Sequence, residues 1–158
     1  MKKITFVLSF LILIPCLVWA AAGSWGTPSP VLPNNASAFK TWSITFTASA
    51  DNATIPNYTT TTADQNFMKG YWIFGVETDP GSTGPTDNYD VVINNAASRD
   101  IMGGALSNRD SSTTEFAMAL AADGVTKYSP PVDGALTIAV SGNSVNSATS
   151  SIKLYLFR

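Results

Sequence analysis

The sequence predicts an all-β chain, an antiparallel β-sandwich of jelly-roll-like or Ig-like type with six or more short strands. Three observations carry this prediction. Apolar and polar residues alternate at a period of two in several segments, turn residues such as Asp-Gly and Pro-Pro separate those segments, and no segment shows a long helical period. Short strands between frequent turns are typical of sandwiches and barrels.

Residues 1–22 have the features of a secretory signal peptide. Two lysines follow Met1, an apolar run covers residues 4–19, and three alanines close the segment. The apolar run is shorter than the ~20 residues that a spanning helix prefers. We therefore expect cleavage after Ala22 or Ala20 rather than an uncleaved anchor. The signal is of bacterial type, and it predicts a secreted or periplasmic protein with no membrane attachment after cleavage.

Cleavage would leave an acidic chain. Loss of Lys2 and Lys3 takes the basic residues from nine to seven against eleven acidic ones, so the net charge moves from −2 to −4. The sequence has no basic cluster, and nucleic-acid binding needs one to neutralise phosphates. We therefore expect no nucleic-acid partner.

The residue inventory limits the chemistry of the chain. It contains no histidine, which excludes Ser-His and Cys-His nucleophile systems and imidazole-bound zinc. Its one cysteine, Cys16, lies in the predicted signal peptide. The mature protein is thus expected to be free of disulfides, although its compartment permits them.

The mature chain divides into an arm and one domain. Residues 23–39 are rich in Gly, Pro, Ser and Asn, which predicts an extended arm or linker, or an arm that docks on a neighbouring molecule. Residues 40–158 form the predicted single β-sandwich domain. Its first strand places Trp42, Ile44, Phe46 and Ala48 on the apolar face. Residues 51–67 are polar and threonine-rich, and they predict a long loop with at most one weak strand.

The second strand is predicted over residues 71–78. Strict alternation turns Trp72, Phe74 and Val76 to one face, and because the other face is also apolar we expect a central strand. We expect Trp72, like Trp42, to pack in the core rather than to form a sugar-stacking platform.

The remaining strands follow the same alternation. Residues 89–94 predict a strand, and residues 114–121 favour a strand over a short helix. The last two strands carry alternating apolar residues, and the final one is apolar enough to pair inside a sheet. The side chains expected to face inward are Tyr89, Val91, Ile93, Leu136, Ile138, Val140, Ile152, Leu154 and Leu156.

Residues 76–93 (VETDPGSTGPTDNYDVVI) raise the question of a metal site. Calcium prefers carboxylate and carbonyl oxygens, and Asp79, Asp87 and Asp90 are the candidate ligands. Their spacing differs from that of an EF-hand. Asp79 precedes Pro-Gly and Asp87 precedes a strand, where carboxylates cap the amides of a turn. We interpret the segment as a shaped connection, with no cofactor, and keep calcium as the alternative.

Catalysis has little support in the sequence. A glycosidase needs two carboxylates about 5 to 10 Å apart, and nothing places Glu77 and Glu115, the only glutamates, together. No G-x-S-x-G or S-x-x-K motif is present. We therefore expect a protein that is not an enzyme. A hydrolase would need Glu77 or Glu115 in a cleft that faces a second carboxylate.

Several segments together resemble a family of small, mostly uncharacterised β-rich proteins from tailed-phage and prophage-like regions. The likeness covers residues 70–157. Its elements are a T-D-P-G…P-T-D-N-Y-D hairpin, an M-G-G turn near N-R, T-E before a strand, and P-V-D-G-A-L-T before the closing strands. The resemblance implies a virion-associated or structural β-domain and assigns no site residues. A virion part assembled in the cytoplasm should not be exported, so either residues 1–22 are not a signal peptide or the domain is reused in an exported bacterial protein. We favour reuse, since a fold does not determine its function.

These observations predict an exported structural or surface-interaction domain. Polar strand faces rich in Thr, Ser and Asn suit contacts with a protein or glycan surface, and an oligomer formed through the arm would be one form of such contact. The alternative is a carbohydrate- or calcium-dependent binding module, which would need an exposed Trp or Tyr beside the loop that runs from Asp79 to Asp90.

Overall fold

The computed structural model describes residues 21–33 and 38–158. The predicted signal peptide lies outside the described residues up to position 20, and Cys16 lies outside them too. The elements in chain order are β1 (Ser24–Trp25), β2 (Ser29–Val31), β3 (Phe39–Thr47), β4 (Tyr58–Thr59), α1 (Thr62–Met68), β5 (Trp72–Pro80), β6 (Asp90–Asn94), β7 (Glu115–Ala117), β8 (Ala119–Leu120), β9 (Lys127–Tyr128), β10 (Thr137–Ser141) and β11 (Thr149–Phe157).

Two antiparallel sheets carry most of these strands. The larger has the order β1-β3-β11-β5-β7, with β2 also paired to β3, and the smaller has the order β4-β10-β6. Strands β8 and β9 form a separate two-stranded ribbon. From β3 to β7 the chain alternates between the two sheets, and β10 and β11 do the same. The predicted all-β antiparallel sandwich is confirmed.

The core lies between the two sheets. Strand β3 buries Trp42, Ile44 and Phe46, and the facing strands bury alternate residues of their own. The Phe46 and Tyr89 rings meet edge to face at 6.4 Å between centroids, and the Tyr89 hydroxyl lies 3.2 Å from Ser150 Oγ. The predicted inward residues are buried except Val140, which is half-buried. Strand β11 pairs with β3 and with β5 along its length, which confirms that the last strand pairs inside the sheet.

The helix α1 corrects the prediction of a long loop over residues 51–67. Thr61 is its N-cap and forms a capping box with Asp64, in which each side chain accepts a hydrogen bond from the other residue's backbone N–H. The four consecutive threonines obscured this Thr-x-x-Asp signal. In the part of the chain that the structure describes, no helix is long and apolar enough to cross a membrane.

The segment predicted as an arm pairs with its own domain. Strands β1 and β2 both bond to β3 in antiparallel register. The Trp25 ring packs at 5.6 Å from the Phe46 ring and 5.5 Å from the Tyr58 ring, and its Nε1 donates to the Pro56 carbonyl at 2.6 Å. The β3 edge is therefore covered within the chain.

Strand β5 departs from the strict alternation predicted for it. Its register against β11 shifts between the pair Tyr155–Gly75 and the pair Leu156–Ile73, so Phe74 is an extra residue in a β-bulge. The bulge puts Ile73 and Val76 in the core and turns Trp72 outward. The prediction that Trp72 packs in the core is therefore wrong, since 46% of it is exposed.

Candidate interaction surface

The segment 76–93 is a connection between sheets. Strand β5 belongs to the larger sheet and β6 to the smaller one, so the segment is not the hairpin that the resemblance described. Neighbouring segments hold the loop. Thr149 N donates to the Thr83 carbonyl at 2.7 Å, and Thr86 N donates to Asn143 Oδ1 at 3.1 Å. These hydrogen bonds from two other segments hold the loop in place.

The three candidate calcium ligands have separate partners. The Asp79 carboxylate accepts a hydrogen bond from the Thr114 hydroxyl, Asp87 accepts from Asn88 Nδ2 at 3.2 Å, and Asp90 accepts from the Asn108 backbone N–H at 2.8 Å. We expected the Asp79 carboxylate to cap the Pro-Gly turn. It bonds to Thr114 instead, so that expectation is wrong. Within residues 21–33 and 38–158, no three His, Cys, Asp or Glu residues are grouped so that they could hold a metal ion.

The two glutamates lie on opposite faces of the larger sheet. Glu77 is in register with Phe116 on the outer face, whereas Glu115 is in register with the buried Thr78. Glu115 Oε2 lies 3.6 Å from the Arg109 guanidinium and accepts from the Asp110 backbone N–H at 2.7 Å. The structure does not bring the two glutamates together.

The outer face of the larger sheet carries a line of aromatic rings in mutual contact. We call it the aromatic row and define it as Phe39, Phe157, Phe74, Phe116 and Tyr155. Successive centroids are 6.4, 6.4, 5.9 and 5.7 Å apart in that order. Trp72 lies beside the row, in register with Phe157. The row crosses β3, β11, β5 and β7, so four strands hold its rings.

The β-bulge and one glycine shape the middle of the aromatic row. The bulge places Phe74 and Gly75 on the same side of the sheet, because one residue of β11 is matched there by two of β5. The Phe116 ring lies over Gly75, where the missing Cβ leaves room for it. Phe116 therefore rests on the sheet and meets Tyr155.

A polar group borders the aromatic row. Glu77 accepts hydrogen bonds from Lys153 Nζ at 3.2 Å and from the Tyr155 hydroxyl at 2.7 Å. The hydrogen bond to Glu77, followed by burial, raises the pKa of Tyr155, and hydrogen bonds with Tyr155 and Glu77 raise the pKa of Lys153. The charges of Glu77 and Lys153 compensate each other locally.

A groove of about 370 Å³ adjoins the aromatic row, between Pro33, Phe39, Phe74 and Tyr155. A larger hollow of about 450 Å³ lies elsewhere, beside Arg99, Asp100 and Tyr128. The Asp100 carboxylate there accepts from the backbone N–H groups of Met102 and Gly104, at 2.9 and 2.7 Å. The Asp100 carboxylate is therefore already engaged by the backbone of its own turn. We take the groove beside the aromatic row as the better candidate site.

Only some of the residues in the aromatic row can be predicted from the sequence. On the last strand, Tyr155 and Phe157 alternate with the inward leucines, which predicts two outward aromatic residues. Strict alternation puts Phe74 on the wrong face, and no local feature of the sequence marks Phe39 or Phe116 as neighbours of these rings. These rings meet only because four strands from distant parts of the chain lie side by side.

Comparisons of the chain with protein-family models, with curated proteins and with solved structures found no match. What this chain does must therefore be inferred from its own residues.

Proposed function

We propose that this chain is an exported, non-enzymatic β-domain with a structural or surface-interaction role, and that the outer face of the larger sheet is its interaction surface. The aromatic row is the observation that carries the proposal. Its rings lie on one face, in contact with one another, and Phe39, Phe74 and Phe116 are each about half exposed. The resemblance to phage-type structural proteins and the predicted signal peptide support the same role.

The exposed area supports an interface. The exposed fractions of Phe39, Phe116, Trp72 and Phe74 are 59, 48, 46 and 45%. An aromatic side chain has roughly 200 Å² of surface, so these four present on the order of 400 Å². Patches of a few hundred Å² on a monomer are often functional. A standard interface covers about 800 Å² per partner, so the patch would supply about half of one.

The composition of the face also suits a protein partner. Interfaces have an aromatic centre and a polar rim, and hydroxyl side chains on β3 and β11 flank the row, among them Ser43, Thr45 and Ser151. The rings are held by paired strands, so little conformational entropy is lost when a partner binds. We therefore expect the row to act as the centre of a protein–protein contact.

A photo-crosslinking experiment tests this proposal. A photoreactive phenylalanine analogue replaces Phe74 in the full chain, produced in its own host, and the same analogue replaces Val125 as the control. Val125 is apolar and 78% exposed, and it lies outside the aromatic row. We expect a protein adduct of defined mass from position 74 only. Equal labelling from both positions, or none from position 74, would contradict the proposal.

The second candidate is a carbohydrate-binding module, which the exposed Trp72 ring favours. Sugars stack on exposed aromatic rings. The sequence-based alternative, however, requires the exposed Trp or Tyr to lie beside the loop that follows β5. Trp72 instead begins β5, whose last residue is Pro80. At ~3.3 Å per residue, the two ends are about 26 Å apart. Binding of a glycan to the wild type, lost in Trp72→Ala and kept in Val125→Ala, would favour this candidate over the first.

A further inference from the structure

We infer that the occupant of the outer face is a second copy of this chain, which packs with its own aromatic row around a twofold axis. This inference rests on the proposed function and names the partner. A twofold contact uses the same patch on both molecules, so the patch must be complementary to itself. The aromatic row meets this condition in its shape and in its charge.

The symmetry of the aromatic row fits a twofold axis. Its outer strands are β3 and β7, and each contributes a phenylalanine, Phe39 on one side and Phe116 on the other. Neighbouring strands are ~4.8 Å apart, so the row spans about 14 Å across the sheet. A twofold axis through its middle, between Phe157 on β11 and Phe74 on β5, sets Phe39 of one molecule opposite Phe116 of the other.

The charge of the row also permits self-association. Glu77 and Lys153 form a 3.2 Å ion pair within one molecule, so the centre of the face carries no uncompensated charge. The nearby Asp79 lies on the same face, two residues beyond Glu77 towards the end of β5, and its carboxylate accepts a hydrogen bond from the Thr114 hydroxyl. Two copies can therefore meet at the row without a like-charge contact at its centre.

The sheet edges are poorer places for a second copy. Strands β1 and β2 cover β3, and the segment that holds them contains prolines at positions 28, 30 and 33. The opposite edge strand, β7, has only three residues. Short and proline-containing edges discourage strand addition between molecules. The outer face is the remaining apolar surface of the larger sheet.

Sedimentation velocity of the purified chain tests the inference directly. The patch supplies about half of a standard interface, so the association should be weak, with a micromolar Kd. We expect the average mass to approach twice the chain mass as the concentration rises from about 10 to 100 µM. Phe74→Lys places a charge at the twofold contact and should give the single-chain mass throughout that range. Val125→Lys is the matched control and should keep the dimer mass. Because the contact is apolar, the wild-type mass should not change when the salt concentration is raised.

Each other outcome is informative. A single-chain mass for the wild type at 100 µM would overturn the inference, as would a dimer that survives in folded Phe74→Lys. Circular dichroism checks the fold, and Phe116→Ser serves as a second variant if Phe74→Lys fails to fold. If the wild type is monomeric but position 74 still crosslinks to another protein, the second copy is excluded and the proposed function stands. If position 74 also gives no adduct, both fail.

Discussion

Phe116 lies so close to Gly75 that a Cβ atom on residue 75 would stand 2.1 Å from its Cζ. The contact joins two strands that are far apart in the sequence, and it places the Phe116 ring over the backbone of β5 at the β7 end of the aromatic row. The glycine is therefore required by a neighbour on β7, and not by its own backbone conformation.

Gly75→Ala should destabilise the protein by about 1 to 3 kcal/mol, because an overpacked site forces side chains or backbone to move. The second variant Phe116→Ala removes the ring, so the double variant should recover part of the loss, as a non-additive pair does. Ala117 O would remain 2.9 Å from the added methyl, and recovery should be incomplete. Urea unfolding measures all three variants.

Gly134→Ala is the matched control for this pair. Its added Cβ would meet nothing closer than Ala96 Cβ at 3.9 Å. We expect a change within ~0.5 kcal/mol. Additive effects of Gly75→Ala and Phe116→Ala would show that the ring and the glycine are not coupled.

Asp64→Asn should cost about 2 to 4 kcal/mol, because the buried carboxylate accepts several hydrogen bonds at once. Trp42 Nε1 and the Tyr58 hydroxyl each donate to it at 2.8 Å, and Thr61 donates from its hydroxyl and its backbone N–H. An amide cannot accept all of these. Chemical denaturation at neutral pH measures the loss, with the exposed Asp87→Asn as control.

The same carboxylate should make stability depend on pH. Burial raises the pKa of Asp64, but the hydrogen bonds from Trp42, Thr61 and Tyr58 outweigh it, and the pKa lies below its ordinary value. A carboxyl group with a lowered pKa in the folded state stabilises the protein above its unfolded pKa of ~3.9, and this contribution is lost as pH falls through the folded pKa. The Asp64→Asn variant should not show this part of the loss of stability at acid pH. Parallel pH profiles for the variant and the wild type would refute the assignment.

Calcium should leave the thermal midpoint unchanged. Asp79, Asp87 and Asp90 have separate partners, so binding an ion would first require these contacts to break. A ligand at a hundredfold excess over its Kd stabilises the native state by about 2.7 kcal/mol. Melting in millimolar calcium and in a chelator measures the difference. A higher midpoint in calcium, removed by Asp79→Asn, would restore the calcium-dependent alternative.

Trp25→Ala should destabilise the domain by about 2 kcal/mol, although the residue lies in a segment that resembles a linker. The substitution removes two ring contacts and the hydrogen bond to the Pro56 carbonyl. Val31→Ala, also in the arm, is the control, since Val31 is half exposed and should change stability by less than ~0.5 kcal/mol. Equal effects in thermal melts would mean that the arm contributes no specific contact.

Much of the fold followed from local patterns. The alternation in the segments that became β3, β6, β10 and β11 predicted the strands and the buried residues, because a half-buried strand repeats every two residues. The helix α1 was missed because its Thr-x-x-Asp cap stood among other threonines. The Pro- and Gly-rich composition of residues 23–39 predicts a linker, because composition does not show that the edge of β3 is available for pairing.

Composition and period were therefore enough to identify a sandwich with β11 inside a sheet, since burial of an apolar strand is a property of that strand. The candidate surface was decided by pairing. A bulge exists only in the register between β5 and β11, and it reversed the direction of Trp72 and Phe74. Likewise, Phe39 and Phe116 became parts of one row because β3 and β7 share a sheet. Contacts between distant strands depend on how the whole chain packs, and no local period records them.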